Sequence, residues 1–265
     1  MGKKVLAQRE GAVLTLTLNE PERANPLSAA MAEKLTAALQ EAAANAAVRA
    51  VVLTGAGRHF SAGADLDALE AIAAGGDREA NLADSRCLER LFASLLDHPK
   101  LTLAAVHGAA IAGGCGLATA CDLVVAERSA RFAYTEVMIG FIPALVSTFL
   151  ARRVPGNVAR RLLLDPERID GERAVALGLA DELVGDGEAL ARARAWGAEV
   201  ARKASPSAIA ATKRLLNATV GLGWREALAL AAEANADQRL DPQCRRGVRS
   251  FLDSKKTPDW VKDEG

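Results

Sequence analysis

A chain of 265 residues, half of them hydrophobic and a quarter charged, has the makeup of a soluble globular protein. That length suffices for one large α/β domain, or for a domain with a helical appendage. Thirty-three Lys and Arg balance thirty-three Asp and Glu, which argues against nucleic acid as a partner, since proteins that bind it usually carry a basic excess.

No apolar run reaches membrane-spanning length and the first residues lack an apolar secretory core, so the sequence predicts a cytoplasmic protein without a membrane partner. Cys87, Cys115, Cys121 and Cys244 form no CxxC pair and no metal-ligand spacing with His59, His98 or His107. Reduced thiols in the core and no metal site are the expectation.

Val13 to Leu18 alternate apolar residues with Thr, the pattern of a strand. Residues 19–26 break it with turn chemistry, and Ser28 reads as the N-cap of a helix with Met31, Leu35, Ala38, Leu39 and Ala42 on one face. Residues 50–54 form a short buried strand, so this strand, helix and strand predict a parallel pair with a right-handed crossover. A loop over 58–63 leads to a helix beginning near residues 64–66, and a second helix is predicted over about 81–96. Residues 101–106 are the next buried strand, and 109–118 read as a strand or turn feeding a helix through glycines. Strands follow at 123–126 and 131–134, and helices take over from about Leu145. Ser205-Pro206-Ser207 interrupts the alanine-rich stretch, dividing a core of residues 1–204 from a helical region of 205–265.

Two segments, Ser61-Ala62-Gly63-Ala64-Asp65-Leu66 and Ala112-Gly113-Gly114-Cys115-Gly116-Leu117, put glycine just ahead of a predicted helix. A helix start offers unpaired N–H groups and a positive field, and glycine admits close approach to the backbone. Two such ends facing each other could hold an oxygen that gains negative charge. Tight turns and close packing account for such glycines equally well, and neither segment matches a phosphate-loop or dinucleotide fingerprint.

The run from Val51 to Leu66 resembles the first signature of the enoyl-CoA hydratase/isomerase, or crotonase, family. Residues 112–117 with Ala120-Cys121-Asp122-Leu123 resemble the second, and Phe132 to Pro143, with Glu136 and Gly140, the third. Asn19-Glu20-Pro21, Gly178-Leu179-Ala180-Asp181 and Lys213-Arg214-Leu215-Leu216 extend the likeness over nearly the whole chain. The resemblance implies an α/β fold, a crotonase-like spiral of repeated β-β-α units with a C-terminal helical trimerisation region, assembled as a homotrimer or homohexamer. It implies an acyl-CoA thioester as substrate, with CoA part of that substrate and no metal or redox cofactor. An oxyanion hole would be made by the N–H groups of Ala64 and Gly113, with Glu136 as the catalytic acid/base. Ala62, Gly63, Asp65 and Leu66 would border the CoA path, together with Gly114 and Gly116 of the second motif. Arg23 would lie near the CoA phosphates. Tyr134 would line the acyl pocket or orient water, being on the same side as Glu136 if that segment is extended.

One position departs from the family pattern. Two-carboxylate hydratases carry a glutamate where this chain has Gly116. A single Glu can move a proton from Cα to C4, which is 3,2-enoyl-CoA isomerisation, or can add water in a concerted syn hydration. Thr135-Glu136-Val137, followed by Gly140, Pro143-Ala144 and Ser147, resembles hydratases of branched acyl-CoAs such as methylglutaconyl-CoA, which favours hydration. The isomerase and a weakly catalytic CoA- or RNA-binding homologue are the alternatives. Asp65, Asp67, Glu70, Asp84 and Glu89 are read as helix-face charges rather than a second catalytic acid.

Overall fold

The computed structural model describes residues 3–262; within them the side chains of Asp67, Ala68, Ile72 and Ala73 lie outside the described residues. The chain opens with β1 (Val5–Glu10) and β2 (Val13–Leu18), and passes through α1 (Ala29–Ala44) into β3 (Ala50–Gly55). Two helices, α2 (Leu66–Gly75) and α3 (Arg78–Leu96), lead to β4 (Leu101–Val106). A unit of two strands and a helix then repeats. The first is β4, β5 (Ala109–Ile111) and α4 (Gly113–Thr119); the second is β6 (Leu123–Glu127), β7 (Arg131–Ala133) and α5 (Ala144–Arg153). After these come α6 (Gly156–Leu164), β8 (Ile169–Asp170), α7 (Gly171–Ala176), β9 (Glu182–Val184) and α8 (Ala189–Lys203). The chain finishes with α9 (Pro206–Ala218), α10 (Trp224–Leu240) and α11 (Pro242–Ser254).

In each unit the first strand joins one sheet and the second joins another. A six-stranded sheet has the order β1-β2-β3-β4-β6-β9, parallel except for the β1–β2 hairpin. A three-stranded sheet has the order β5-β7-β8. Because β3 and β4 are covered on both faces, they read as nearly continuous apolar runs, interrupted only by Thr54, before the closing Gly55 of β3, and by Thr102 in β4. On one face Val52, Leu103 and Val125 pack against Ala189 and Ala193 of α8. On the other, Leu16, Val51 and Leu53 meet Met31, Leu35 and Leu39 of α1 and Leu91 and Leu95 of α3. Each of these large side chains contributes at most about 1.5–3 kcal/mol by leaving water. Ser28 caps α1, its Oγ accepting from Met31 N–H at 3.2 Å.

The structure corrects the sequence reading at three strands. After residue 145 the sequence suggests helices alone, yet β8 pairs antiparallel with β7 and β9 pairs parallel with β6. Two- and three-residue strands carry no periodicity, so only their pairing defines them. β1 is exposed along most of its length and shows no alternation, but six paired positions hold it to β2. In addition α3 starts earlier than expected, because Asp77 caps it by accepting from Glu79 N–H at 2.9 Å.

Ser205 caps α9, with Pro206 at its first position. Lys213 ties this helix to the end of the large sheet, donating to Asp122 Oδ2 at 2.6 Å and Lys100 O at 3.0 Å. No described residue of α9, α10 or α11 is fully buried, and Leu216, Trp224, Leu228 and Leu240 stand exposed. No helix among the described residues is long and apolar enough to cross a membrane.

Candidate active site

The loop after β3 is tethered on both sides. Asn25, fully buried, donates through Nδ2 to Ala56 O at 2.9 Å and His59 O at 2.8 Å. Ser61 N–H donates to Ala109 O at 3.0 Å and Ile111 N–H returns to Ser61 O at 3.0 Å, pinning the loop to β5. Ala62 N–H donates to Ala24 O at 2.8 Å, and Leu27 N–H to Gly63 O at 2.7 Å. The backbone of residues 61–63 is therefore fixed before any ligand arrives.

Here the two glycine segments meet. Gly63 has φ +87°, and a methyl group built on it would stand 2.4 Å from Ile111 O and 3.2 Å from Gly113 N. Only glycine permits both that conformation and that closeness. Gly113 opens α4, so its N–H has no partner in a preceding turn. The residue before it, Ala112, has φ +49° and ψ −122°, a strained conformation for a residue with Cβ. Ala112 N–H donates to Ala133 O at 2.7 Å, and this bond to β7 helps hold the strain.

Glu136 stands two residues past Tyr134, at the start of a 3-10 turn (Glu136–Ile139) closed by Gly140 at φ +73°. It is 8% exposed, and its Oε2 is buried with no hydrogen-bond partner among the described residues. Burial pushes its carboxyl pKa up, and the hydrogen bond from its own backbone only partly opposes this. The carboxyl faces a cavity of about 450 Å³ bordered by Ala62, Ala64, Leu66 and Gly113. Met138, Ile139, Phe141 and Ile142 supply an apolar wall and remain exposed to solvent. Two backbone segments and one buried carboxyl thus share one apolar cavity.

Of the other residues predicted for the site, Tyr134 is set away from the cavity. Tyr134 is 1% exposed and lies outside the cavity wall; its hydroxyl is 3.0 Å from Thr119 Oγ1, inside the core. The extended geometry expected for residues 134–136 gives way to the turn, which sends Glu136 to the cavity and leaves Tyr134 packed behind it. Burial raises the Tyr134 pKa well above its ordinary value. Gly114 is a packing residue, since a Cβ there would meet Ser61 O at 2.5 Å. Gly116 opens no space for water or acyl group. A Cβ on it would meet Val146 Cγ2 at 2.6 Å and the Phe92 ring at 3.4 Å, so these two side chains fill the room. Arg23 is engaged by Asp65, with guanidinium-to-carboxylate distances of 2.9 and 3.1 Å.

Two charged residues line the cavity that the sequence reading did not put there. Asp84, read as a helix-face charge, is half-buried, and burial pushes its carboxyl pKa up. Its spacing with Leu88 and Phe92 on α3, every fourth residue, is the signal that could have placed all three on the cavity side. Arg168 reaches the cavity from the strand end beside β8; nothing local in the sequence marks it. The four cysteines are free, and burial raises the Cys115 and Cys121 pKa values to about 12.

A buried carboxyl whose Oε2 has no partner among the described residues, set in a largely apolar cavity beside a helix start, is suited to acid/base chemistry on a largely apolar substrate. Residues 8–263 match the family described as enoyl-CoA hydratase/isomerase, and the chain belongs to that family. A Thermus thermophilus protein with enoyl-CoA hydratase in its name is 47% identical over 246 residues, 93% of this chain and 96% of the relative. The 2,3-dehydroadipyl-CoA hydratase of Escherichia coli is 33% identical over 97% of this chain and 98% of its own. Among solved structures, Pseudomonas aeruginosa AtuE superposes with a TM-score of 0.91 at 34% identity, over 98% of this chain and all (100%) of that one. A Mycobacterium smegmatis enoyl-CoA hydratase gives 0.90 at 32% identity, over 98% and 99% of the two chains. The two-sheet architecture of repeating β-β-α units is the crotonase fold.

Proposed function

We propose that this protein is an enoyl-CoA hydratase that adds water across the double bond of a 2-enoyl-CoA, with Glu136 as its single acid/base. The observation that carries the reading is the Glu136 carboxyl, buried, facing the cavity and without a partner at Oε2 among the described residues. Such a group is free to hydrogen-bond a water molecule, and its raised pKa brings it closer to neutrality for proton transfer. The ionised carboxylate takes a proton from water as the oxygen bonds to C3. The C2–C3 π electrons move toward the thioester oxygen, and the proton is delivered to C2 on the same face, regenerating the carboxylate. The N–H groups of Ala64 and Gly113 are the proposed donors to the developing oxyanion, and the loss of one such donor typically costs about 2.7–4 kcal/mol. Asp65 and Leu66 border the path of the CoA moiety in this reading. The apolar wall from Met138 to Ile142 suits an acyl chain with a branch, of which methylglutaconyl is one example.

Residues 205–265 are the proposed self-association region, giving a homotrimer or homohexamer. Support comes from exposed apolar side chains such as Trp224 and Leu228 on helices with no buried residue of their own. Light scattering on the full chain checks this; a monomer at micromolar concentration would contradict it.

Glu136→Gln tests the chemistry. It should abolish hydration of crotonyl-CoA while leaving binding of a saturated acyl-CoA within about twofold, because an interaction used only in the transition state changes kcat rather than affinity. Hydration at the wild-type rate would refute the role of Glu136.

A further inference from the structure

We infer that Arg168 is a specificity residue that receives a carboxylate at the far end of the acyl chain, making the preferred substrate an enoyl-CoA whose acyl group ends in an acid. The inference rests on the hydratase reading and begins with the small sheet. Ala110, Phe132 and Ile169 lie in one row across β5, β7 and β8, and all three are buried in the main core. The neighbouring row points to the opposite face. Ile111 pairs with Ala133, and continuing the β7–β8 register sets Arg168 across from Ala133. Both Ile111 and Arg168 line the cavity. The strand that leads through Ala133 to Glu136 thus runs between the second glycine segment and Arg168.

Arg168 is the sole cation among the described residues lining the cavity. Its neighbour Glu167 is already held by Arg161, at 3.0 and 3.1 Å, and Asp65 is held by Arg23. Arg168 itself makes no ion pair among the described residues. A guanidinium presents a planar fork of donors that matches a carboxylate in two parallel hydrogen bonds. The same cavity offers an apolar wall, from Met138 to Ile142, suited to methylene groups. The carboxyl of Asp84 on α3 disfavours an anion near that helix, so the acid end of the chain belongs beside Arg168. The phosphates of CoA are anions too, but every substrate carries them, which lets an experiment separate the two sources.

The test compares 2-hexenoyl-CoA with 2-hexenedioyl-CoA, equal in length and differing in the terminal acid, on the wild type, Arg168→Gln and Arg168→Lys. Charge-assisted hydrogen bonds of this kind correspond to roughly a 10- to 100-fold change. The wild type should favour the diacid in kcat/KM. Arg168→Gln should remove that preference through KM, leaving the monoacid within about twofold, and Arg168→Lys should retain part of it. Equal losses on both substrates would mean contact with CoA and overturn the inference, as would no loss on either. If neither substrate is hydrated, the hydratase reading fails on its own. Calorimetric binding of hexanoyl-CoA and adipyl-CoA then still decides, because Arg168→Gln must weaken adipyl-CoA alone.

Discussion

Gly63→Ala probes the meeting of the two glycine segments. At φ +87° the added Cβ puts the residue in a conformation that costs an alanine about 1–2 kcal/mol. The same methyl would lie 2.4 Å from Ile111 O and 3.2 Å from Gly113 N, both of them main-chain atoms that cannot rotate away. Ile111 N–H is bonded to Ser61 O and Gly63 O accepts from Leu27 N–H, so neither side can retreat without breaking a hydrogen bond worth about 1 kcal/mol. Together these give a destabilisation of about 2–3 kcal/mol, measurable as a shift in the denaturant midpoint without a change in slope. If the Ala64 and Gly113 N–H groups act as one oxyanion site, separating them should also lower kcat about 10²- to 10³-fold under native conditions. The assay is steady-state hydration at a temperature where circular dichroism shows the variant folded. A folded variant with wild-type kcat would refute the idea that these segments bind one oxygen.

Gly116→Ala should destabilise by about 1–3 kcal/mol through overpacking against Val146 and Phe92. Adding Val146→Ala should recover part of this, and strict additivity in chemical denaturation would contradict the contact. For Glu136, burial favours the protonated acid in the folded protein. Its penalty to stability is therefore absent below the unfolded glutamate pKa of about 4.3 and fully present above the raised folded pKa. Glu136→Gln should raise Tm near neutral pH, with the gain shrinking on acidification; a gain that grows toward acid would reverse the sign of the shift. Lys213→Met removes the ammonium that bonds Lys100 O and pairs with the half-buried Asp122, whose bonds from Thr102 remain, and should cost about 1–3 kcal/mol. Unchanged thermal stability in that variant would show that α9 is held by other contacts.

Much of this molecule is legible in its sequence, and the reasons differ by element. β2, β3, β4 and α1 announce themselves because their apolar residues recur with the period of the element that buries them. The glycine segments and Glu136 stand out through the family motifs they belong to, since glycine ahead of a helix has ordinary explanations in turns and packing. What the sequence hides depends on contacts between distant segments. Whether Gly116 leaves room in the site is settled only by Val146 and Phe92, which α5 and α3 bring beside it. Tyr134 reads as a partner of Glu136 until the 3-10 turn separates their directions. Asp84 and Arg168 look like ordinary surface charges because nothing near them in sequence shows which cavity they will face.

The most direct test of the account is to give the purified protein a 2-enoyl-CoA and a 3-enoyl-CoA in parallel, following absorbance and product mass. The 2-enoyl substrate should gain the mass of one water, and Glu136→Gln should stop this gain. Conversion of the 3-enoyl substrate to its 2-enoyl isomer, with no mass change and no hydration of the 2-enoyl-CoA, would contradict the hydratase reading and make Glu136 an isomerase base.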